Sequence, residues 1–283
     1  MSAGARLESI DYLAIGHITL DVTPQGKRIG GSVSYAALTA QALGLKAGIV
    51  TAWGEELPLG LLEEIPVINF GAEHSTAFEN IYTPSGREQR VRTQAEFLEF
   101  HMIPEAWRSP RILHLAPVAR EVSPRILKYF TDSTIGVTPQ GWLREWDEKG
   151  RVQAADWEES GHVLSRADVT VLGLEDVRGD ETKVQRMAAD CPVLVVTDGK
   201  NGCTLYEHGK QHHIESPQVN EVDPTGAGDI FAAAFLVRYH LHGDAADAAR
   251  FASQLASRSV QRHGLDGVPS KDDIYDLMAE AHS

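Results

Sequence analysis

The segment Asp223-Pro224-Thr225-Gly226-Ala227-Gly228-Asp229 runs into Ile230-Phe231-Ala232-Ala233-Ala234-Phe235, and its residue types could do chemistry. Pro224 stops a preceding helix or ladder, and Gly226 and Gly228 let the backbone turn tightly without a Cβ penalty. The Ala- and Phe-rich run after them is a good helix. A turn of small residues feeding a helix N-terminus leaves several N–H groups unpaired, with the positive end of the helix dipole behind them. Such a turn binds anions, phosphate above all. Asp229 falls in the first helical turn, beside the anion. Alone, it would equally serve as a cap, since acidic residues are favoured there; the seven specified residues and the small-residue helix favour the anion site.

The elements that must position this turn alternate. Short apolar runs at Tyr12–Ile15, Ala47–Ala52, Ile112–Leu115, Val169–Leu172 and Val193–Thr197 read as buried strands. Between them, Ser32 to Leu43 reads as a helix with Ser32 as N-cap and Gly44 as its stop, and Ala245 to His263 as a second helix stopped by Gly264. Alternation of this kind predicts a parallel sheet covered by helices on both faces. From Val67 to Val91 the helical period is lost. Thr76–Tyr82 and Arg87–Val91 flank a Pro84-Ser85-Gly86 turn, which predicts a hairpin outside the parallel core. The hairpin is either an edge pair or a lid projecting from the sheet. With no repeat, low-complexity tract or linker, residues 1–283 are expected to form one domain, with 67–93 as the lid segment.

Composition narrows the function classes. The 283 residues carry 26 Lys plus Arg against 40 Asp plus Glu, a formal charge of −14. An acidic chain without a basic block excludes nucleic-acid binding and a polybasic membrane anchor. An anionic ligand must therefore be held by dipoles, a metal or a few placed cations. Two cysteines, Cys191 and Cys203, make no disulfide framework. No apolar run approaches 18 residues and Met1 to Ile15 has no signal-peptide pattern, so a cytoplasmic protein is expected. His212-His213 and His240/His242 lack a third ligand and read as surface histidines. Trp142 and Trp146 read as core or interface, and Glu145 to Arg151 as a solvated turn around Gly150.

The chain resembles the ribokinase-like (PfkB) carbohydrate kinases. Their C-terminal signature stands complete as Asp223 to Phe231, and other motifs follow in family order: Gly16-His17-Ile18-Thr19-Leu20-Asp21, Gly30-Gly31-Ser32, and Val196-Thr197-Asp198-Gly199-Lys200-Asn201-Gly202. The resemblance implies a three-layer α/β/α sandwich with a mostly parallel central sheet and a small β lid. It implies an ATP-dependent kinase that phosphorylates a hydroxyl of a small sugar or cyclic polyol. Asp229 would accept the hydroxyl proton as an unperturbed carboxylate near pKa ~4, and the amides of Gly226, Ala227 and Gly228 would hold the transferring phosphoryl group. Asp21, Gly30, Gly31 and Ser32 would face the acceptor, while Thr197, Gly199, Gly202, Thr225 and Ser253 would contact the nucleotide. Mg²⁺ would accompany the phosphates, with K⁺ as a further cation near Asp223 and Thr225, and a homodimer through the lid is the partner arrangement implied.

Departures from the family pattern bear on metal and acceptor. Its Asn-x-x-Glu metal motif is replaced by Gly173-Leu174-Glu175-Asp176, leaving Glu175 or Asp176 to hold the metal through water, or both to form an acidic helix start. Phe251-Ala252-Ser253-Gln254 lacks the family asparagine, but its small residues admit a flat base. Tyr35 stands where the family carries an acceptor-facing asparagine; it either selects the acceptor or packs helix against sheet. Gln140-Gly141-Trp142-Leu143-Arg144 resembles the myo-inositol kinase branch. Gln140 would bond vicinal hydroxyls, and Arg144 would contact a phosphate or pair with an acidic neighbour. A nucleoside or hydroxymethylpyrimidine kinase, or a catalytically silent nucleotide or sugar sensor, are the competing readings.

Overall fold

The computed structural model describes residues 7–23, 26–54, 56, 58–83 and 86–280. Its first half runs β1 (Tyr12–Ile15), β2 (Thr19–Thr23), β3 (Gly26–Gly30), α1 (Ser32–Ala42), β4 (Ala47–Thr51), β5 (Val67–Asn69), β6 (Thr76–Thr83), β7 (Gly86–Thr93), β8 (Ile112–Leu115) and β9 (Thr134–Val137). There follow β10 (Arg144–Trp146), β11 (Val152–Ala154), α2 (Ser160–Leu164), β12 (Val169–Gly173), α3 (Glu181–Asp190), β13 (Val193–Thr197), β14 (Cys203–Glu207) and β15 (Lys210–Ile214). Three helices close the chain: α4 (Ala227–His242), α5 (Ala245–Ser259) and α6 (Lys271–Glu280).

Nine strands form the main sheet in the order β15-β14-β13-β12-β9-β8-β1-β4-β5. Every pairing from β13 to β5 is parallel; only β14 and β15 run antiparallel. The strand period of two explains the unbroken apolar runs. Tyr12 and Ala14 of β1 enter one core with α1, α4 and α5, while Leu13 and Ile15 enter the other with α2 and α3. The α/β class and the mostly parallel sheet are as expected.

Four strands, β3-β2-β6-β7, form a smaller sheet. The expected hairpin is present, but its surroundings differ from expectation in two ways. Val67–Asn69 pairs with β4 and ends the main sheet, so the off-core segment begins at Thr76 rather than 67. Asp21 lies within β2, and β2 pairs with β3 and β6 in the smaller sheet rather than prolonging β1. β2 has only five residues, two buried and three half-buried, too few to show in sequence as a second sheet. Pro84 and Ser85 of the expected turn lie outside the described residues.

Two helix boundaries also move. Gly31, at φ 93°, is the N-cap of α1, and Ser32 is its first helical residue, because the Ser32 hydroxyl is used elsewhere. Helix α5 ends at Ser259 rather than His263. The hydroxyls of Ser257 and Ser259 bond back to Gln254 O and Ala256 O, and Val260 O accepts the N–H groups of Val222 and Asp223 at 2.7 and 3.0 Å. Backbone from the anion turn thus takes a carbonyl at the helix end. Trp142 is buried and stacked on Trp157, with ring centroids 5.2 Å apart.

Candidate active site

The turn before α4 is built by its own side chains. Asp223 accepts the Thr225 N–H and the Gly264 N–H, each at 3.0 Å, and a bond from the Thr225 hydroxyl. Burial alone would raise the Asp223 carboxyl, but these bonds outweigh it and the group titrates below the usual range. His263 Nδ1 stands 3.6 Å away. The oxygens of Asp223 are therefore committed to clasping the turn onto the loop after α5.

Gly226 takes φ 80° as the N-cap of α4, and the first helical bond runs from Ile230 N–H to Gly226 O at 2.9 Å. A Cβ on Gly226 would lie 2.2 Å from the Tyr35 ring, whereas a Cβ on Gly228 would meet nothing within 4 Å. The two glycines thus do different work: one admits a ring beneath the turn, the other leaves the approach open above it. The Ala227 amide turns back onto Pro224 O at 3.2 Å. Of the three expected anion-holding amides, those of Gly226 and Gly228 have no backbone acceptor among the described residues, and Ala227 does not share that state.

Asp229 projects from the first turn of α4, and the Ser32 hydroxyl donates to its carboxylate. Burial first, then repulsion from Asp176 and Asp21, pushes its pKa up to about 6, against the pull of Ser32 and Arg144. The expectation of an unperturbed carboxylate is corrected: three acidic groups converge in one partly dry site. Asp21 contributes from β2, its carboxylate lying over Gly30, where a Cβ would approach it to 2.6 Å. Gly31 could carry no Cβ at all, because it would sit 2.3 Å from His17 O.

Gln140 and Arg144 arrive from the loop and strand after β9. Gln140 Nε2 donates to Asp176 at 3.4 Å, and Arg144 faces both Asp176 and Asp229. Asp176 also accepts the Gly173 N–H at 3.0 Å, starting a short helical turn; burial raises its carboxyl while Arg144 draws it down. Glu175 is exposed. The pair that sequence left undecided is thereby separated: Asp176 stands with the site.

Three residues are engaged by contacts within the protein. Tyr35 is 2% exposed, its ring against Gly226 and its hydroxyl toward Gly264; burial and the charges of Asp21, Asp229 and Asp223 keep its phenol protonated. It packs beneath the anion turn. Ser253 is buried with its Oγ 4.0 Å from Cys203 Sγ, inside the α5–sheet core. Thr197 spends its hydroxyl on Leu172 O at 3.3 Å. Gly199 and Gly202 keep positive φ in the loop after β13, and Thr225 is exposed at the turn. Sequence reasoning missed Arg28, which is paired across β3 and β2 with Asp21 and is near enough to favour the Tyr35 phenolate. Its signal was alternation opposite Asp21, in a strand too short and polar to read.

No group of three or more His, Cys, Asp or Glu able to hold a metal occurs among the described residues. Mg²⁺ keeps most of its waters and needs only one or two carboxylates besides substrate phosphates. Asp176, beside Asp229 and short of a full set of strong donors, fits such a phosphate-borne ion and not a protein cage.

A main sheet of this order, with a smaller sheet at its side, is a ribokinase-like fold. Residues 170–272 match the model of the pfkB family carbohydrate kinases. That matched segment and the similarity to proteins named as kinases support a phosphotransferase that acts on hydroxyl acceptors. It is 24% identical over 254 residues to a cytidine kinase of Thermococcus kodakarensis, covering 81% of this chain and 88% of that one. It is 26% identical over 209 residues to an inositol 3-kinase of Zea mays, covering 72% and 54%. A solved pyrophosphate-dependent myo-inositol-1 kinase, converted to a 3-kinase, superposes with TM-score 0.80 at 18% identity over 96% of this chain and all of that one. The ribokinase of Thermotoga maritima gives 0.72 at 17%, over 95% and 99%.

Proposed function

We propose that this protein transfers the γ-phosphoryl group of ATP to a hydroxyl of a small sugar or cyclic polyol, myo-inositol-like or a monosaccharide. The observation that carries the reading is Asp229: a carboxylate with pKa about 6, aimed by Ser32, in the same helical turn as the open amides of Gly226 and Gly228. Such a group orients the acceptor hydroxyl and takes its proton as the loose phosphoryl transition state forms. The amides hold charge growing on the equatorial oxygens. Mg²⁺ bound with the phosphates through Asp176 would offset their charge. On the acceptor side Asp21, Gln140 and Arg144 converge, a set suited to adjacent hydroxyls. Tyr35, packed under Gly226, offers no platform for a base, which disfavours a nucleoside acceptor.

A second donor deserves the same test. Ser253 is buried and the Thr197 hydroxyl bonds Leu172 O, which leaves backbone groups as the main candidates for holding the donor, and several structural neighbours are pyrophosphate-dependent kinases. In this reading residues 1–283 form one kinase domain, the smaller sheet is its lid, and β3 is the lid edge open to a second copy. A cytoplasmic setting accords with two unbridged, buried cysteines; no helix among the described residues is long and apolar enough to cross a membrane.

The experiment is product release by the purified full chain with Mg²⁺, ATP or pyrophosphate, and a panel of sugars, inositols and nucleosides. Turnover with a sugar or inositol is expected. Turnover confined to nucleosides would overturn the acceptor assignment, and turnover confined to pyrophosphate the donor.

A further inference from the structure

The β10–β11 hairpin stands between the smaller sheet and the catalytic cluster, and phosphoryl transfer as described gives it no task beyond carrying Arg144. Its strands pair in the register Arg144↔Ala154, Glu145↔Gln153 and Trp146↔Val152, and its base is closed by the Ala155 N–H on Leu143 O at 2.8 Å. Its turn reaches β7. There the Val91 N–H donates to Gly150 O at 2.8 Å, and Arg90 and Arg151 form an antiparallel bridge. Gly150 adopts φ 76°, and a Cβ on it would sit 2.2 Å from Val91 O, so the seam admits only glycine.

Behind the seam lies a third apolar cluster, separate from the two main cores. Phe78 and Val91 come from the smaller sheet, Trp146 and Val152 from the hairpin, and Val118 and Ala119 from the loop after β8. A groove of about 670 Å³ flanks the seam, lined by Arg90, Arg92, Trp146 and Lys149 among others, so the joint is narrow. At the other end of β10 stands Arg144, the cation facing Asp176 and Asp229. An isolated two-stranded hairpin is marginal in water. The direction of β10 therefore depends on what the hairpin is docked against, and here that is the smaller sheet.

We infer that the β10–β11 hairpin is a strap that holds Arg144 against the Asp176–Asp229 pair only while the smaller sheet is seated, with Gly150 and Trp146 as its positioning residues. Seating the sheet and completing the charge arrangement are then one event. A lifted sheet leaves the two carboxylates without their cation, so a bound donor meets an incomplete site. The functional half of this inference rests on the role given to Asp229 above; the mechanical half does not.

The test uses the full chain and Gly150→Ala and Arg144→Gln, singly and combined. Gly150→Ala is expected to lower kcat at least ten-fold with donor KM within about two-fold. In the Arg144→Gln background it should cost less than a further two-fold, the non-additivity of residues acting as one unit. Equal fold losses in both backgrounds would overturn the strap. Should Gly150→Ala fold poorly, Val152→Ala thins the third cluster without a backbone clash, and the same non-additivity is expected. Amide hydrogen exchange needs no acceptor: both variants should lose protection at Val91 and across 144–146 together, whereas 144–146 staying protected after Val91 is lost would refute the mechanical coupling. A wild-type chain with no turnover would instead count against the proposed function, while the exchange result still judges the strap.

Discussion

In the reaction proposed above Asp229 is the base, and its surroundings set the pH at which it would work. Its pKa of about 6 is raised by burial and by two neighbouring carboxylates. The base form is required, so kcat/KM should fall as pH drops through about 6, not through ~4 as for an exposed aspartate. A pH profile on the best acceptor measures this, and a limb near 4 would contradict the buried assignment. Asp229→Asn should remove turnover by 10²–10⁴-fold, the usual worth of a positioned base, while donor affinity measured by calorimetry stays within a few-fold. A variant keeping more than about a tenth of wild-type kcat would dismiss Asp229 as the base. Tyr35 has moved from candidate selector to support. Tyr35→Ala vacates the space against Gly226 and should cost about 3–5 kcal/mol of stability, the range for large aromatic truncations, with acceptor KM of the folded remainder near normal. A raised acceptor KM without loss of Tm would restore the selector reading.

At the scale of elements, the anion turn is held by two clasps to the end of α5: Val260 O takes two of its amides, and Asp223 takes the Gly264 N–H. Asp223→Ala leaves the Gly264 and Thr225 N–H groups unpaired at roughly 1–3 kcal/mol. Because the loss falls on the turn, donor KM should rise more than acceptor KM, and unchanged donor KM would reduce Asp223 to a distant stabiliser. If the smaller sheet closes on the acceptor, exchange across 76–83 and 86–93 should slow at saturating acceptor; unaltered exchange would make it a static sheet. Most elements were readable because a strand run buried on both faces is continuous and apolar. Those that escaped include β2, β3, β10, β11, β14 and β15, which are short or polar and are not buried along their whole length.

Across the whole molecule, a formal charge of −14 surrounds a site that must admit a polyanionic donor. Long-range repulsion slows such an encounter, and salt screens it over a Debye length of about 8–10 Å. Donor kcat/KM should therefore rise between low and physiological ionic strength; a steady fall would show that Arg28 and Arg144 dominate the approach field. The same balance accords with the proposed reliance on amides, one or two arginines and a phosphate-borne cation in place of a basic patch.

The turn from Asp223 to Phe231 determined, from sequence alone, that a helix N-terminus would present amides and a carboxylate together, because those features are local: glycine torsions, a proline stop and one helical turn. The alternating apolar runs determined the layered sheet for a similar reason, since burial on two faces leaves a mark on every residue of a strand. What Asp229 would titrate at, that Tyr35 would lie under Gly226, that Ser253 would face Cys203, and that Asp176 rather than Glu175 would join the cluster were decided only by tertiary structure. Each depends on groups brought together from residues far apart in the chain, or on which side of a short turn faces them, and a carboxylate's pKa or a ring's resting place is a property of that neighbourhood.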